Sequence, residues 1–282
     1  MTKPLIYAID FGTSNTLLAA ANANGVLPPV ELDVNSDDKT ILKSLFYTPD
    51  QNEWYFGSEA IHQYTERAAE GRFFRSIKKF LPEPGFSGTA VHGRFIPIHQ
   101  IIGVFLKEVR NRANLHFGCD VTAVTMGRPA VFGDNQTEDS VAEKRLKQAA
   151  EYAGFKDVYF CPEPVAAAYE FRHQLKEEKN VLIADFGGGT SDFTVLKMGP
   201  NQFSDQDILA TYGVSIAGDK FDGSIMKHHI APHFGSEITF RLPRTNGDMR
   251  IPLRLLSYLT SPADIAFLSK TETMSFLKEA QK

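Results

Sequence analysis

The chain has 282 residues, 43% of them hydrophobic and 23% charged, with a formal net charge of -4. That is ordinary globular composition with ample length for a buried core, in two domains or one large one, and it excludes a disordered chain. The small negative charge and scattered basic residues argue against a nucleic-acid partner.

The first apolar run, Leu5 to Ile9, leads into Asp10-Phe11-Gly12-Thr13-Ser14-Asn15-Thr16 and then a β-rich stretch, Leu17 to Ala21. This reads as a hairpin with its tight turn at the glycine. The run ends at Asp10, too short for a signal-peptide core, and no apolar segment approaches the length of a bilayer span. The expectations are no membrane partner and a cytoplasmic address.

From about residue 35 to 95 the chain is polar and mixed, with turn clusters at Asn35-Ser36-Asp37-Asp38 and Pro82-Glu83-Pro84-Gly85, and reads as an inserted subdomain. Pro97 to His116 is predicted helical, with Ile98, Ile101, Ile102, Phe105 and Val109 on one face. A strand over Val121 to Met126 ends at Gly127-Arg128-Pro129. A helix over Asn135 to Gly154 follows, with Val141, Leu146, Ala149, Ala150 and Ala153 as its apolar members. Next come a strand, Val158 to Cys161, the Pro162-Glu163-Pro164 corner and a helix from Val165 to Leu175. Alternating strands and helices imply an α/β layered architecture.

A second hairpin then repeats the wording of the first. Val181 to Ala184 leads into Asp185-Phe186-Gly187-Gly188-Gly189-Thr190-Ser191-Asp192 and a strand through Leu196. Glycines let backbone N–H groups approach phosphate oxygens, the hydroxyls add donors, and an aspartate at the strand end supplies a hard oxygen for Mg²⁺. Two such loops facing each other would clamp a polyphosphate from both sides. A protein-kinase reading of Asp-Phe-Gly fails for want of a Val-Ala-Ile-Lys strand and a His-Arg-Asp loop, and no Walker A sequence is present. Beyond the second hairpin, Asp207 to Gly213 is predicted as a strand. It leads to Ala217-Gly218-Asp219-Lys220-Phe221-Asp222, which opens a helix running to Ile230, a third and weaker place for phosphate. Leu255 to Lys282 is expected to be helix-forming, with Ala263, Phe267 and Phe276 apolar.

Cys119 and Cys161 have no metal-ligand spacing and are expected to be reduced, mostly buried thiols. The histidines His62, His92, His99, His173 and His228-His229 likewise have no metal-ligand spacing.

The residues 10 to 16, Ile77-Lys78-Lys79-Phe80, Glu163-Pro164-Val165-Ala166-Ala167-Ala168, 185 to 192 and 217 to 222 together resemble the ATPase domain of DnaK-type heat-shock chaperones. The wording of Gly127-Arg128-Pro129, residues 153 to 158 and Lys197-Met198-Gly199-Pro200 is similar to the YegD-like branch of chaperone-like proteins. The resemblance implies an actin-like ATPase (ribonuclease H-like) fold, with two lobes of mixed β-sheets and flanking helices closing on ATP or ADP with Mg²⁺. The first lobe would span 1–178 and a partial second lobe 179–282. It implies that Asp10, Asp185 and Asp192 hold metal-bound waters and that Thr13 and Thr190 lie near the terminal phosphate. Gly12, Ser14, Gly187, Gly188, Gly189, Gly218 and Asp219 would lie along the nucleotide.

Lys78 would position the attacking water, with Lys79 as the alternative one register away, and Glu163 would assist. The expected activity is slow ATP hydrolysis by a nucleotide switch with client or co-chaperone partners. The family's adenosine-reading helix and later Gly-Gly loop, its peptide-binding β-sandwich and its acidic tail motif have no counterpart here, so the second lobe is expected to be incomplete. Two readings from the same superfamily compete. One is an MreB-like filament protein; the other is a sugar or acid kinase using Asp120 or Asp134 as base.

Overall fold

The computed structural model describes residues 3–67, 70–133, 135–172, 174–199, 207–214, 216–241, 246–261 and 265–280. Asp134, His173, Pro200 and Ala263, each named above, lie outside the described residues. The first sheet is built on β1 (Ile6–Phe11) and β2 (Asn15–Asn22), the hairpin expected around Gly12. β3 (Gly25–Val26) and β4 (Leu42–Lys43) both pair with β2, while β10 (Ala123–Arg128) lies parallel to β1 and β11 (Asp157–Pro162) parallel to β10.

Strand alternation gives this sheet two unlike faces. Tyr7, Ile9, Phe11, Leu18, Ala20, Val124 and Met126 are buried on one face. That face packs under α2 (Ile98–Phe117), whose Ile98, Ile101, Ile102, Phe105, Val109 and Ala113 recur at helical spacing. α2 ends at Gly118, in the left-handed region at φ 62°, as a helix-terminating glycine should be. α3 (Gln136–Tyr152) starts at Asn135, whose side-chain oxygen accepts from the N–H groups of Thr137 and Glu138 at 3.1 and 3.0 Å. Its buried face is Ala142, Leu146, Ala149 and Ala150, so Ala142 and not its neighbour Val141 is the inward residue.

The segment over 35 to 95 holds more core than its polar composition foretells. Three short strands, β5 (Leu45–Thr48), β6 (Tyr55–Phe56) and β7 (Arg72–Arg75), form a sheet flanked by α1 (Ser58–Glu66), and β8 (Gly88–Val91) pairs with β9 (Arg94–Pro97). Phe46, Phe56 and Phe74 join the main core, and Phe105 of α2 stands within 5.7 to 6.3 Å, centroid to centroid, of Phe11, Phe46 and Phe56. A single aromatic cluster thus fastens the insertion to the first sheet.

α4 (Glu163–Arg172) follows β11 directly and contacts β10, β11 and β12 (Lys179–Phe186). β12, β13 (Ser191–Met198) and β14 (Ile208–Val214) make an antiparallel second sheet, with an irregularity between Val195 and Leu196. Val181, Ile183, Leu196 and Ile208 of this sheet pack with Ala168 of α4.

The helix predicted to continue to Ile230 is instead α5 (Gly218–Ile225) followed by a π-helical turn, Met226–Ile230. Pro232 lies just beyond, in the 3-10 turn Ala231–Phe234, and proline removes the N–H a regular helix would need. The C-terminal region contains the short pair β15 (Thr239–Phe240) and β16 (Met249–Arg250), then α6 (Leu253–Thr260) and α7 (Thr271–Ala280). Both cysteines are free thiols with most of their surface covered, as expected, and Cys161 stands opposite Gly127 in the sheet register. Asp120 pairs with Arg110 at 2.6 Å and Asn114 at 2.8 Å, ahead of β10 and away from the strand end that carries Gly127.

Phe105→Ala should lower the unfolding free energy by about 3–5 kcal/mol, the usual cost of deleting a buried aromatic ring. Phe105→Leu should cost less. Denaturant unfolding followed by circular dichroism measures both.

Candidate functional site

The two similar motifs fold into two similar turns. Gly12 N–H donates to the Asn15 carbonyl and Gly187 N–H to the Thr190 carbonyl, each at 2.9 Å, closing a four-residue loop between paired strands in both places. At Gly12 a Cβ would fall 2.5 Å from the Asn15 carbonyl oxygen, so the turn is as tight as it is only because the residue is glycine. The first loop is braced from outside. Ser44 N–H donates to the Ser14 carbonyl at 2.8 Å, and the Thr16 and Ser44 hydroxyls are 2.8 Å apart in the core. The second loop is braced by the start of α5, where Gly218 N–H donates to the Gly187 carbonyl at 3.1 Å and Asp219 N–H to Gly188 at 2.8 Å.

Both loops open on one cavity of about 630 Å³, a size common for small-ligand sites. Its floor is the second face of the first sheet, where Ala8, Ala19, Thr125 and Gly127 keep side chains small. Asp10, Gly12, Thr13, Ser14, Lys78, Glu163, Asp185, Gly187, Gly188, Thr190 and Asp192 all line it. Gly189 lines a smaller adjoining cavity with Thr13, Lys78, Lys79, Glu163 and Thr190. Every site residue expected from the sequence therefore stands at or beside this cleft, Gly218 and Asp219 by their bonds to the second loop.

Lys78 follows from local geometry. Ser76 adopts a left-handed conformation at φ 54° and starts the 3-10 turn Ile77–Phe80. Ile77 is buried, and Lys78 Nζ donates to Glu163 Oε1 at 2.8 Å. Both side chains are largely shielded, with 11% and 21% of their surfaces exposed. Glu163 sits in the first turn of α4, where a carboxylate suits the helix dipole. Gly127 makes room for it: a Cβ there would lie 3.3 Å from Glu163 Cγ.

The electrostatics are lopsided. Burial, and next the Glu163 charge, raise Asp10 above the ordinary carboxylate range, with Lys78 pulling the other way and Asp185 adding to the rise. Asp185 is raised by burial and then Glu163, against Lys78. Asp192 is raised chiefly by burial, although it accepts from the Thr190 hydroxyl at 2.9 Å. Four carboxylates thus share Lys78, an arrangement with an appetite for a further cation. Among the described residues no three His, Cys, Asp or Glu side chains could hold a metal ion. Spaced carboxylates of this kind suit Mg²⁺, which keeps several of its waters, and the donor set fits the ion in that form.

Sequence reasoning missed Arg75 here, and it named Lys79 only as the alternative to Lys78, without its contact to Asp219. Lys79 reaches Asp219 at 3.4 Å, and Arg75, at the end of β7, stands 3.8 Å from the same carboxylate. It also missed Gly213 of β14, whose lack of a side chain admits Asp192, since a Cβ would lie 2.6 Å from Asp192 Oδ1. Only its place opposite Asp192 in the sheet register could have revealed it. Among the described residues no helix is long and apolar enough to cross a membrane.

Comparison with known proteins agrees with this geometry. Residues 85–249, more than half of the chain, match the family described as Hsp70 protein. The chaperone protein HscA homolog of Pseudoalteromonas atlantica is 27% identical, over 80% of this chain and 37% of its own length. HscA of Buchnera aphidicola is 28% identical, over 80% of this chain and 38% of its own length. The chain thus spans well under half the length of these relatives. The matches favour neither the filament nor the sugar-kinase reading. The chain belongs to the Hsp70 family, whose fold is the actin-like ATPase fold.

Proposed function

We propose that the chain is an ATP-binding, Mg²⁺-dependent and slowly hydrolysing nucleotide switch of a chaperone. The two sheets would be the cores of two lobes, 1–178 with its insertion and 179–282. The observation that carries the reading is the pair of like turns around one cleft, each with an aspartate at its strand end. The names of the matched relatives support the chaperone role and, with it, client or co-chaperone partners.

In this reading the backbone N–H groups of both loops and the hydroxyls of Thr13 and Thr190 hold the phosphates. Asp10, Asp185 and Asp192 would hold Mg²⁺ through its waters, and the ion would neutralise charge on the phosphate oxygens. Lys78 is held in place by Glu163, so its ammonium is aimed before substrate arrives. Phosphoryl transfer passes through a loose transition state, and a fixed cation beside the transferred group serves it better than a strong base. Glu163 accepts from Lys78 on one oxygen, and its other oxygen would orient a water.

Lys78→Ala should lower turnover by roughly 10²-fold or more, in line with losing a preorganised charge, while ATP affinity changes little. Single-turnover hydrolysis and equilibrium binding separate the two effects. Equal turnover in the variant would remove Lys78 from the mechanism.

The raised carboxylates make a second prediction. Asp10 titrates above its usual 3.8 in the folded chain, so its contribution to stability is greatest below that value and is lost as pH rises through the raised value. Without ligand, Asp10→Asn should therefore be more stable than wild type, by a margin that opens as pH rises above 3.8 and levels off once pH passes the raised value. With Mg²⁺ and ATP the order should reverse. Thermal unfolding across pH, with and without ligand, reads both.

A further inference from the structure

Three side chains meet at the phosphate end of the cleft: Arg75, which no reading of the site has used, Lys79, so far only the alternative to Lys78, and Asp219, so far placed only along the nucleotide. Arg75 and Lys79 come from the insertion and its following turn, Asp219 from the first turn of α5. Asp219 Oδ2 lies 3.4 Å from Lys79 Nζ and its Oδ1 3.8 Å from Arg75. The carboxylate is 21% exposed, the cations 40% and 30%. The same place is where the two turns touch. A Cβ on Gly188 would clash with Ser14 Oγ, and one on Gly189 would clash with Lys79 Cε and stand 3.2 Å from Thr13 Cγ2. Lys79 therefore lies along the second loop while its charge reaches past it to Asp219.

We propose that Arg75, Lys79 and Asp219 form a charge latch that holds the two halves together at the phosphate end of the cleft before nucleotide binds. The inference rests on the two-lobed nucleotide-switch reading. A half-exposed ion pair contributes little, commonly 1 kcal/mol or less. That weakness suits a latch that has to open: it biases the closed arrangement without locking it. Asp219 acts through the cations of the opposite half. Its backbone N–H bond to Gly188 ties any movement of α5 to the second loop.

The test reads the ligand-free chain directly. Spin labels at Glu66 and Glu237, in a chain with Cys119 and Cys161 replaced by serine, report the distance between the halves. Asp219→Asn and Lys79→Gln should each shift or broaden the distribution toward longer distances, and the double variant should add little to either. Asp219→Glu and Lys79→Arg, which keep the charges, should restore the wild-type distribution. High salt should open the wild type and leave Asp219→Asn unmoved. Stopped-flow association of a fluorescent ATP analogue should be roughly 2- to 5-fold faster in Asp219→Asn, the fold-change that a pair of this strength sets. An unchanged distance distribution in Asp219→Asn overturns the latch. Longer distances in a chain that binds no analogue uphold the latch and overturn the nucleotide reading.

Discussion

The approach of two backbone turns to one another is the constraint on which the site depends. Gly12 and Gly187 set the same four-residue turn in two different sheets, and Gly188 and Gly189 let the second turn lie against Ser14 and Lys79 of the first half. A Cβ on Gly188 or Gly189 would collide with an atom on the opposite side of the cleft, and one on Gly12 with the carbonyl of its own turn. Bringing rows of N–H groups within reach of one ligand requires that closeness, and the rest of the molecule holds the turns to it. Ser44 and Thr16 support one turn and the start of α5 supports the other.

Charge follows from the same closeness. Burial in the cleft, and after it the charges of neighbouring carboxylates, raise Asp10, Asp185 and Asp192 in spite of Lys78, so the ligand-free site is held at a cost in stability. Such a cost is common where a site waits for a cation or a charged ligand. The small side chains on the open face of the first sheet serve the same end, because they leave the volume that the ligand takes. The opposite face of that sheet carries Tyr7, Ile9 and Phe11 and fixes the strand beneath the site. Alternation along six residues therefore divides the labour between stability and function.

Much of this was legible in the sequence because it is local. The hairpins, the helical spacing of Ile98, Ile101, Ile102 and Phe105 and the corner at Glu163 are signals within a few residues, and they set the elements and their order. What escaped was long-range. The pairing of Lys79 with Asp219 joins residues 140 apart in sequence, and nothing in either segment announces the other. The polar wording of the insertion hid a core because Phe46, Phe56 and Phe74 are spaced for short strands and not for a long run. The end of α5 was misread for a related reason: apolar periodicity continues through Ile230 while the backbone pattern changes to a π-turn at Met226.

The most direct test is calorimetric titration of the chain with ATP, with and without Mg²⁺, beside the Gly188→Val variant. The account predicts saturable binding that depends on Mg²⁺ and is lost when a side chain is forced between Gly188 and Ser14. Binding of equal strength in the variant, or ATP binding indifferent to Mg²⁺, would contradict the claim that the two turns form one metal-dependent phosphate clamp.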